Sequence, residues 1–148
     1  MIRHILVVCV GNICRSPMAE ALLRQALGEQ DGFTVESAGL GALVGHPASE
    51  HSVALMDEEG LDITSHRARQ IHPEMVGRAD LVLVMEAGHK RAIDDADPTA
   101  RGKVHRLGEW QDRDIEDPYR QQRDAYEAAL VDIRAGVESW VGKLKGFD

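Results

Sequence analysis

Apolar positions fall along this chain in two spacings. Residues 5–8, Ile-Leu-Val-Val, form an unbroken apolar run rich in β-branched side chains, the pattern of a strand buried on both faces, as in a parallel sheet. Past a short turn, Ala19, Leu22, Leu23, Ala26 and Leu27 recur at i, i+3, i+4, i+7 and i+8, which predicts a helix with one apolar face. Ser16 and Pro17 fit its N-cap and first helical position. The alternation then repeats: a strand over 34–36, a helix over 49–59 stopped by Gly60, a strand over 81–85, a helix over 89–96 and a short strand over 104–107. The last long segment sets Tyr126, Ala129, Leu130, Ile133, Val137 and Trp140 on one helical face, with Val141 and Leu144 continuing it.

Strands that alternate with helices predict an α/β fold. We expect a single domain over residues 1–148, three layers deep, with a central, mostly parallel four-stranded sheet flanked by helices. In such sheets ligands bind beyond the carboxyl ends of the strands, where the turn after the first strand lies. A chain of 148 residues can bury one core, and 43% hydrophobic with 28% charged residues is a globular rather than a disordered composition.

The formal net charge of −8 argues against a nucleic-acid or anionic-membrane surface, which would need clustered Lys and Arg. The opening MIRHILVVCVG is too short an apolar stretch to span a membrane and has no cleavage site, so no membrane insertion is expected and the cytoplasm is the expected compartment. Two cysteines in a reducing cytosol stay free, where a conspicuous thiol is more often reactive than structural. The seven histidines show no ligand spacing with cysteine or carboxylates, so neither metal nor cofactor is expected. A monomer is expected.

Both cysteines lie on the first turn, Cys9-Val10-Gly11-Asn12-Ile13-Cys14-Arg15-Ser16, a Cys-x5-Arg followed by a hydroxyl. By spacing alone that signal is weak in a chain with 13 arginines. Its place between a strand and a helix N-terminus gives it weight. A loop of this length can curl so that its N–H groups converge on an anion, with the helix dipole adding partial positive charge. Gly11 and Asn12 tolerate the backbone angles of such a curl, and Arg15 offers a planar fork for two oxygens of a tetrahedral oxyanion. A thiol at the base of that nest, Cys9, is favoured as the nucleophilic thiolate. The alternative makes Cys9 and Cys14 buried small hydrophobes and Arg15 the partner of a nearby carboxylate. Phosphoryl transfer to sulfur also needs an acid for the leaving oxygen. The candidate is Asp117 of EDPYR, held extended by the proline, with Tyr119 offering an aromatic face; taken alone, Asp-Pro is an ordinary helix-start signal.

At these residues the chain resembles the low-molecular-weight protein tyrosine phosphatases. VCVGNICRSPMAEALL looks like that family's nucleophile loop and first helix, ESAGL like its Ser-Ala-Gly segment, and DPYR like its general-acid loop, in the same order and over essentially the whole chain. The resemblance implies that Cys9 forms a cysteinyl-phosphate, that Val10, Gly11, Asn12, Ile13, Cys14, Arg15 and Ser16 bind the phosphate, and that Asp117 is the general acid and base. It further implies that Ser16 hydrogen-bonds the Cys9 thiolate, that Asn12 holds the loop with Ser37 and His66, and that Cys14 protects an oxidised Cys9 as a disulfide. No metal is used in the family. Tyr119 could stack on a phenyl ring, with Leu40 and Leu43 of GLGALVGHPA as apolar walls, although both leucines could equally be core residues. That loop lacks the aromatic residue of eukaryotic members, and Arg120 stands where a second tyrosine is often found. Both departures resemble the bacterial subclass that acts on autophosphorylated tyrosine kinases of exopolysaccharide or capsule export, the phosphotyrosine partner expected here. An arsenate reductase on the same fold would need further cysteines that the chain lacks. A phosphotyrosine-binding module without turnover would be expected to lack the nucleophile or the acid.

Overall fold

In the computed structural model, which describes residues 1–28 and 31–146, four strands form one sheet in the order β2-β1-β3-β4: β1 His4–Cys9, β2 Thr34–Gly39, β3 Leu81–Val84 and β4 Val104–Arg106. Every pairing is parallel, as the unbroken apolar runs predict. Alternate residues of β1 serve opposite layers. Ile5, Val7 and Cys9 pack beneath α1 (Arg15–Leu27), α2 (Glu50–Glu58) and α5 (Arg123–Lys145), while Leu6 and Val8 meet Val76 of α3 (Pro73–Arg78) and Ile93 of α4 (Ala87–Ala96). The central place of β1 sets the loop after Cys9 between the loops that follow β2 and β3, all at the carboxyl edge of the sheet.

Three departures from the sequence reading have physical causes. β2 runs on through Ser37, Ala38 and Gly39, whose small or polar side chains are buried and carry no apolar alternation. The six-residue α3 buries only Val76, too little periodicity to register as a helix. The first helix begins at Arg15, with Cys14 at the N-cap position and no side-chain capping bond, so Ser16 and Pro17 lie inside its first turn rather than at its cap. Proline is tolerated there because first-turn N–H groups have no intrahelical acceptor, and the other N–H groups of that turn are left for something outside the helix.

Glu36 of β2 ties this frame to the loop and helix beside it. It accepts from Arg69 Nη2 at 2.7 Å, from Arg78 Nη2 at 2.9 Å and Nε at 3.1 Å, and from His4. Burial alone would raise its pKa, but these bonds outweigh burial and hold it at about 2. A carboxylate depressed in the folded state contributes stability that is present above its unfolded value and lost as pH falls toward the folded one. The stability gap between the wild type and Glu36→Gln, read from urea midpoints, is therefore expected to be constant from pH 7 down to about 4.5 and to close progressively toward pH 2.

Candidate active site

The turn after β1 is shaped from outside. Each of its six carbonyls accepts a hydrogen bond from a surrounding segment: Cys9 O from Leu40 N (2.9 Å), Val10 O from Gly41 N (3.0 Å) and Gly11 O from Leu43 N (3.1 Å). The series continues with Asn12 O and His66 Nε2 (2.7 Å), Ile13 O and Ser49 N (2.8 Å), and Cys14 O and Ser52 Oγ (3.1 Å). Carbonyls drawn outward leave the N–H groups on the concave side, and those of residues 10–14 donate to no backbone carbonyl among the described residues. Asn12 makes the sharp reversal, with φ at +60°. Gly11 is not in the left-handed region, and a Cβ on it would approach nothing closer than 3.7 Å, so the backbone freedom expected of it is unused. The glycine that the turn requires is Gly39, where a Cβ would lie 2.4 Å from Val10 O.

A directed hydrogen-bond chain ends at the Cys9 sulfur. The Arg69 N–H can only donate, so the Asn12 atom 2.9 Å from it is Oδ1, and the amide nitrogen must face the other way. Asn12 Nδ2 donates to Ser16 Oγ at 2.7 Å and to Ser37 Oγ at 3.0 Å. Ser37 passes its own proton to Glu20 Oε1 at 2.6 Å. Ser16, its oxygen already accepting, has its hydroxyl proton free for Cys9 Sγ at 3.0 Å. Cys9, Asn12, Ser16 and Ser37 are all buried. A broader groove of about 660 Å³ opens behind this chain, lined by Glu20, Ser37 and His66 among others, but the cysteine does not reach it.

In front of the sulfur lies a cavity of about 110 Å³, lined by residues 9–11 and 13–15 together with Gly41, Leu43, Asp117 and Tyr119. Arg15 is only 1% exposed, so its charge is held by protein groups. Its Nη1 donates to Glu86 Oε2 at 2.7 Å and to Ile115 O at 2.6 Å. Nη2 lies 3.5 Å from Asp117 Oδ2, and Nε, though buried, has no hydrogen-bond partner among the described residues. The anchored nitrogen thus leaves the Nε–Nη2 edge of the guanidinium as a donor fork. Asp117 is fixed through its other oxygen, which accepts the Tyr119 N–H at 3.1 Å. Tyr119 is 41% exposed at the mouth.

Leu43 therefore stands on the cavity wall and Leu40 does not. The Leu40 side chain packs with Leu6, Val8 and Val84 on the opposite face of the sheet, because it continues the alternation of β2 beyond Gly39. Cys14 is buried with its Sγ 3.4 Å from Tyr126 Oη, and burial pushes its thiol up despite that bond. Glu20, Ser52, Glu86 and Arg69 are site residues that the sequence reading missed. Only the helical i, i+4 relation of Glu20 to Ser16 could have pointed to one of them.

Residues 4–146 match the sequence model of the low molecular weight phosphotyrosine protein phosphatases. A probable low molecular weight protein-tyrosine-phosphatase, EpsP of Ralstonia solanacearum, is 53% identical over 147 residues, covering 99% of each chain. Among solved structures, Vibrio vulnificus Wzb in complex with benzylphosphonate superposes with a TM-score of 0.90 at 39% identity, covering 97% of this chain and 99% of that one. The YwlE arginine phosphatase of Geobacillus stearothermophilus gives 0.89 at 36% identity, covering 97% and 94%. With sequence and fold agreeing over nearly its full length, this chain belongs to the low molecular weight protein-tyrosine-phosphatase family.

Proposed function

We propose that this enzyme, acting as one phosphatase domain, hydrolyses phosphotyrosine through a cysteinyl-phosphate, with no metal. The observation that carries the reading is the ring of outward-anchored carbonyls, which aims the loop amides at the space above Cys9 Sγ. In the first step the Cys9 thiolate attacks phosphorus and the bond to the phenolic oxygen breaks. Asp117 Oδ2 gives its proton to that oxygen. In the second, water attacks the phosphocysteine, Asp117 takes the proton and sulfur leaves as thiolate. The inward amides and the Nε–Nη2 edge of Arg15 hold the three equatorial oxygens through both steps. Ser16, with its proton free for the sulfur, stabilises the thiolate in the resting and leaving states.

The walls support a phenyl ring rather than a guanidinium group. Ile13, Leu43 and Tyr119 present apolar surface, and Asp117, the lining carboxylate, already lies beside Arg15. The similarity to EpsP and Wzb supports a bacterial autophosphorylating tyrosine kinase of exopolysaccharide export as the partner, in the cytoplasm. Among the described residues, no helix is long and apolar enough to cross a membrane. Cys14 would serve as the resolving thiol: peroxide converts Cys9 to a sulfenic acid, Cys14 attacks its sulfur, and water leaves as the disulfide forms. Both cysteines are free here.

With EDTA present, the wild type is expected to release phosphate from phosphotyrosine far faster than from phosphoarginine. Cys9→Ser should lose turnover by more than about a thousandfold yet still bind phosphate, and Asp117→Asn should fall by about 10²–10⁴; a wild type that binds phosphotyrosine without turning it over would identify a binding module instead. Ser52→Ala strips the buried Cys14 carbonyl of its donor. Denaturant unfolding should show a loss of about 1–3 kcal/mol, and phosphate inhibition should weaken in parallel. After peroxide and then a dithiol reductant, the wild type should recover much more activity than Cys14→Ser, and equal recovery would remove Cys14 from that role.

A further inference from the structure

We propose that Arg120 forms a subsite for an anionic side chain beside the phosphotyrosine of the substrate, a carboxylate or a second phosphate. The inference rests on the phosphotyrosine reading above. Three observations on this one residue carry it.

Arg120 occupies a backbone position suited to glycine. The Gln121 N–H closes a turn on Pro118 O at 2.9 Å, which makes Arg120 the third residue of that turn, and its φ is +64°. Glycine or asparagine meets that requirement at little cost, whereas a long side chain there is strained. The arginine is thus not explained by the turn it sits in.

The Arg120 guanidinium carbon lies 5.2 Å from the centroid of the Tyr119 ring, and Tyr119 lines the cavity that holds Cys9 and Asp117. This cation–π contact keeps the cation beside a cavity-lining residue, and among the described residues none of its N–H donors is taken up by a hydrogen bond or ion pair. Most arginines of this acidic protein are neutralised, Arg106, Arg113 and Arg123 among them by surface carboxylates, while Arg3, Arg67, Arg91 and Arg101 share with Arg120 the lack of a carboxylate partner among the described residues. Arg120 has no carboxylate partner among the described residues, despite 25 Asp and Glu in the chain. A guanidinium on a strained backbone, held against Tyr119 and without a carboxylate partner, is suited to bidentate contact with an incoming carboxylate or phosphate. The remote contact would select among phosphotyrosine sites by their sequence context.

The test compares kcat/KM for four short phosphotyrosyl peptides that differ at the neighbouring residue: Gln, Lys, Glu or a second phosphotyrosine. They are assayed with the wild type, Arg120→Gln and Arg120→Gly, the last of which meets the turn's backbone demand without a cation. The readout is the ratio to the Gln peptide within each protein, so a general loss of rate cancels. In the wild type the Glu peptide should exceed the Gln peptide by about two- to fivefold, the range of an exposed charge pair, and the doubly phosphorylated peptide by more. The Lys peptide should fall below both. These ratios should shrink as salt is raised and approach one in both variants. Selectivity for the second phosphate alone supports the subsite with phosphate as its ligand, and selectivity for both anions supports a general anionic subsite. Equal ratios in the wild type and the variants overturn the proposal, as does a uniform loss on all four peptides, which would make Arg120 a positioning residue for Tyr119. A wild type that turns over none of the peptides would instead overturn the phosphotyrosine reading on which the proposal stands.

Discussion

Everything at this site depends on where six carbonyl oxygens point. A peptide unit carries its donor and acceptor on opposite sides, so a loop whose carbonyls are all held outward must turn its N–H groups inward. Here the holding is distributed. The segment after β2 supplies Leu40, Gly41 and Leu43 N–H groups, the Thr64–Arg69 region supplies His66, and the start of α2 supplies Ser49 and Ser52. Three separate parts of the chain thus set one loop of six residues. The pairing of β1 with β2, register-matched to Cys9 opposite Gly39, brings the first of them close enough, and the missing Cβ at Gly39 allows it.

The same frame fixes the polarity of the side-chain bonds. Because Arg69 N–H can only donate, it decides the orientation of the Asn12 amide, which decides which hydroxyls accept, which leaves the Ser16 proton for sulfur. Arg69 is itself held by Glu36 and by the Ser37 carbonyl, so the surface charge cluster on β2 and the buried chain at Cys9 share a residue. Under the proposed mechanism such preorganised donors would meet an oxyanion already in place, the arrangement from which electrostatic stabilisation of phosphoryl transfer gains most. Oriented dipoles in a buried setting act more strongly than the same groups in water.

How much of this is visible in the sequence follows from how local each interaction is. The strand, the turn, Arg15 and Ser16 are contiguous, so their spacing already implies a loop closed onto a helix start. Asp117 is about a hundred residues away, but its proline and tyrosine neighbours mark it, and the structure brings its Oδ2 to within 3.5 Å of Arg15. Glu86 and Ser52 carry no such mark, because each meets the site through a partner far off in the chain, Glu86 from the residue before α4 and Ser52 from the first turn of α2. The choice between wall and core for Leu40 is settled by a related cause. Two leucines in a glycine-rich loop do not reveal which face each will take, and a strand running to Gly39 sends Leu40 away from the pocket. The N-cap departs from the expectation because the usual rule assumes that a helix start satisfies its own donors, whereas the start of α1 has no side-chain capping bond.

Glu86 shows why the buried arginine can be ready before any ligand arrives. A guanidinium 1% exposed would be strongly unfavourable alone, and Glu86 together with the Ile115 carbonyl compensates it through a single nitrogen, Nη1. Glu86 therefore holds Nη1, and in the proposed mechanism a phosphoryl group would meet the Nε–Nη2 edge, beside which Asp117 Oδ2 lies at 3.5 Å from Nη2. His89 is placed to disturb this anchoring, with Nε2 at 3.7 Å from Glu86 Oε2. Burial, aided by the Arg15 charge, lowers the pKa of His89 despite the opposing pull of Glu86. An imidazole kept neutral at working pH makes no competing claim as a cation on that carboxylate, and Glu86 remains the counter-ion of Arg15.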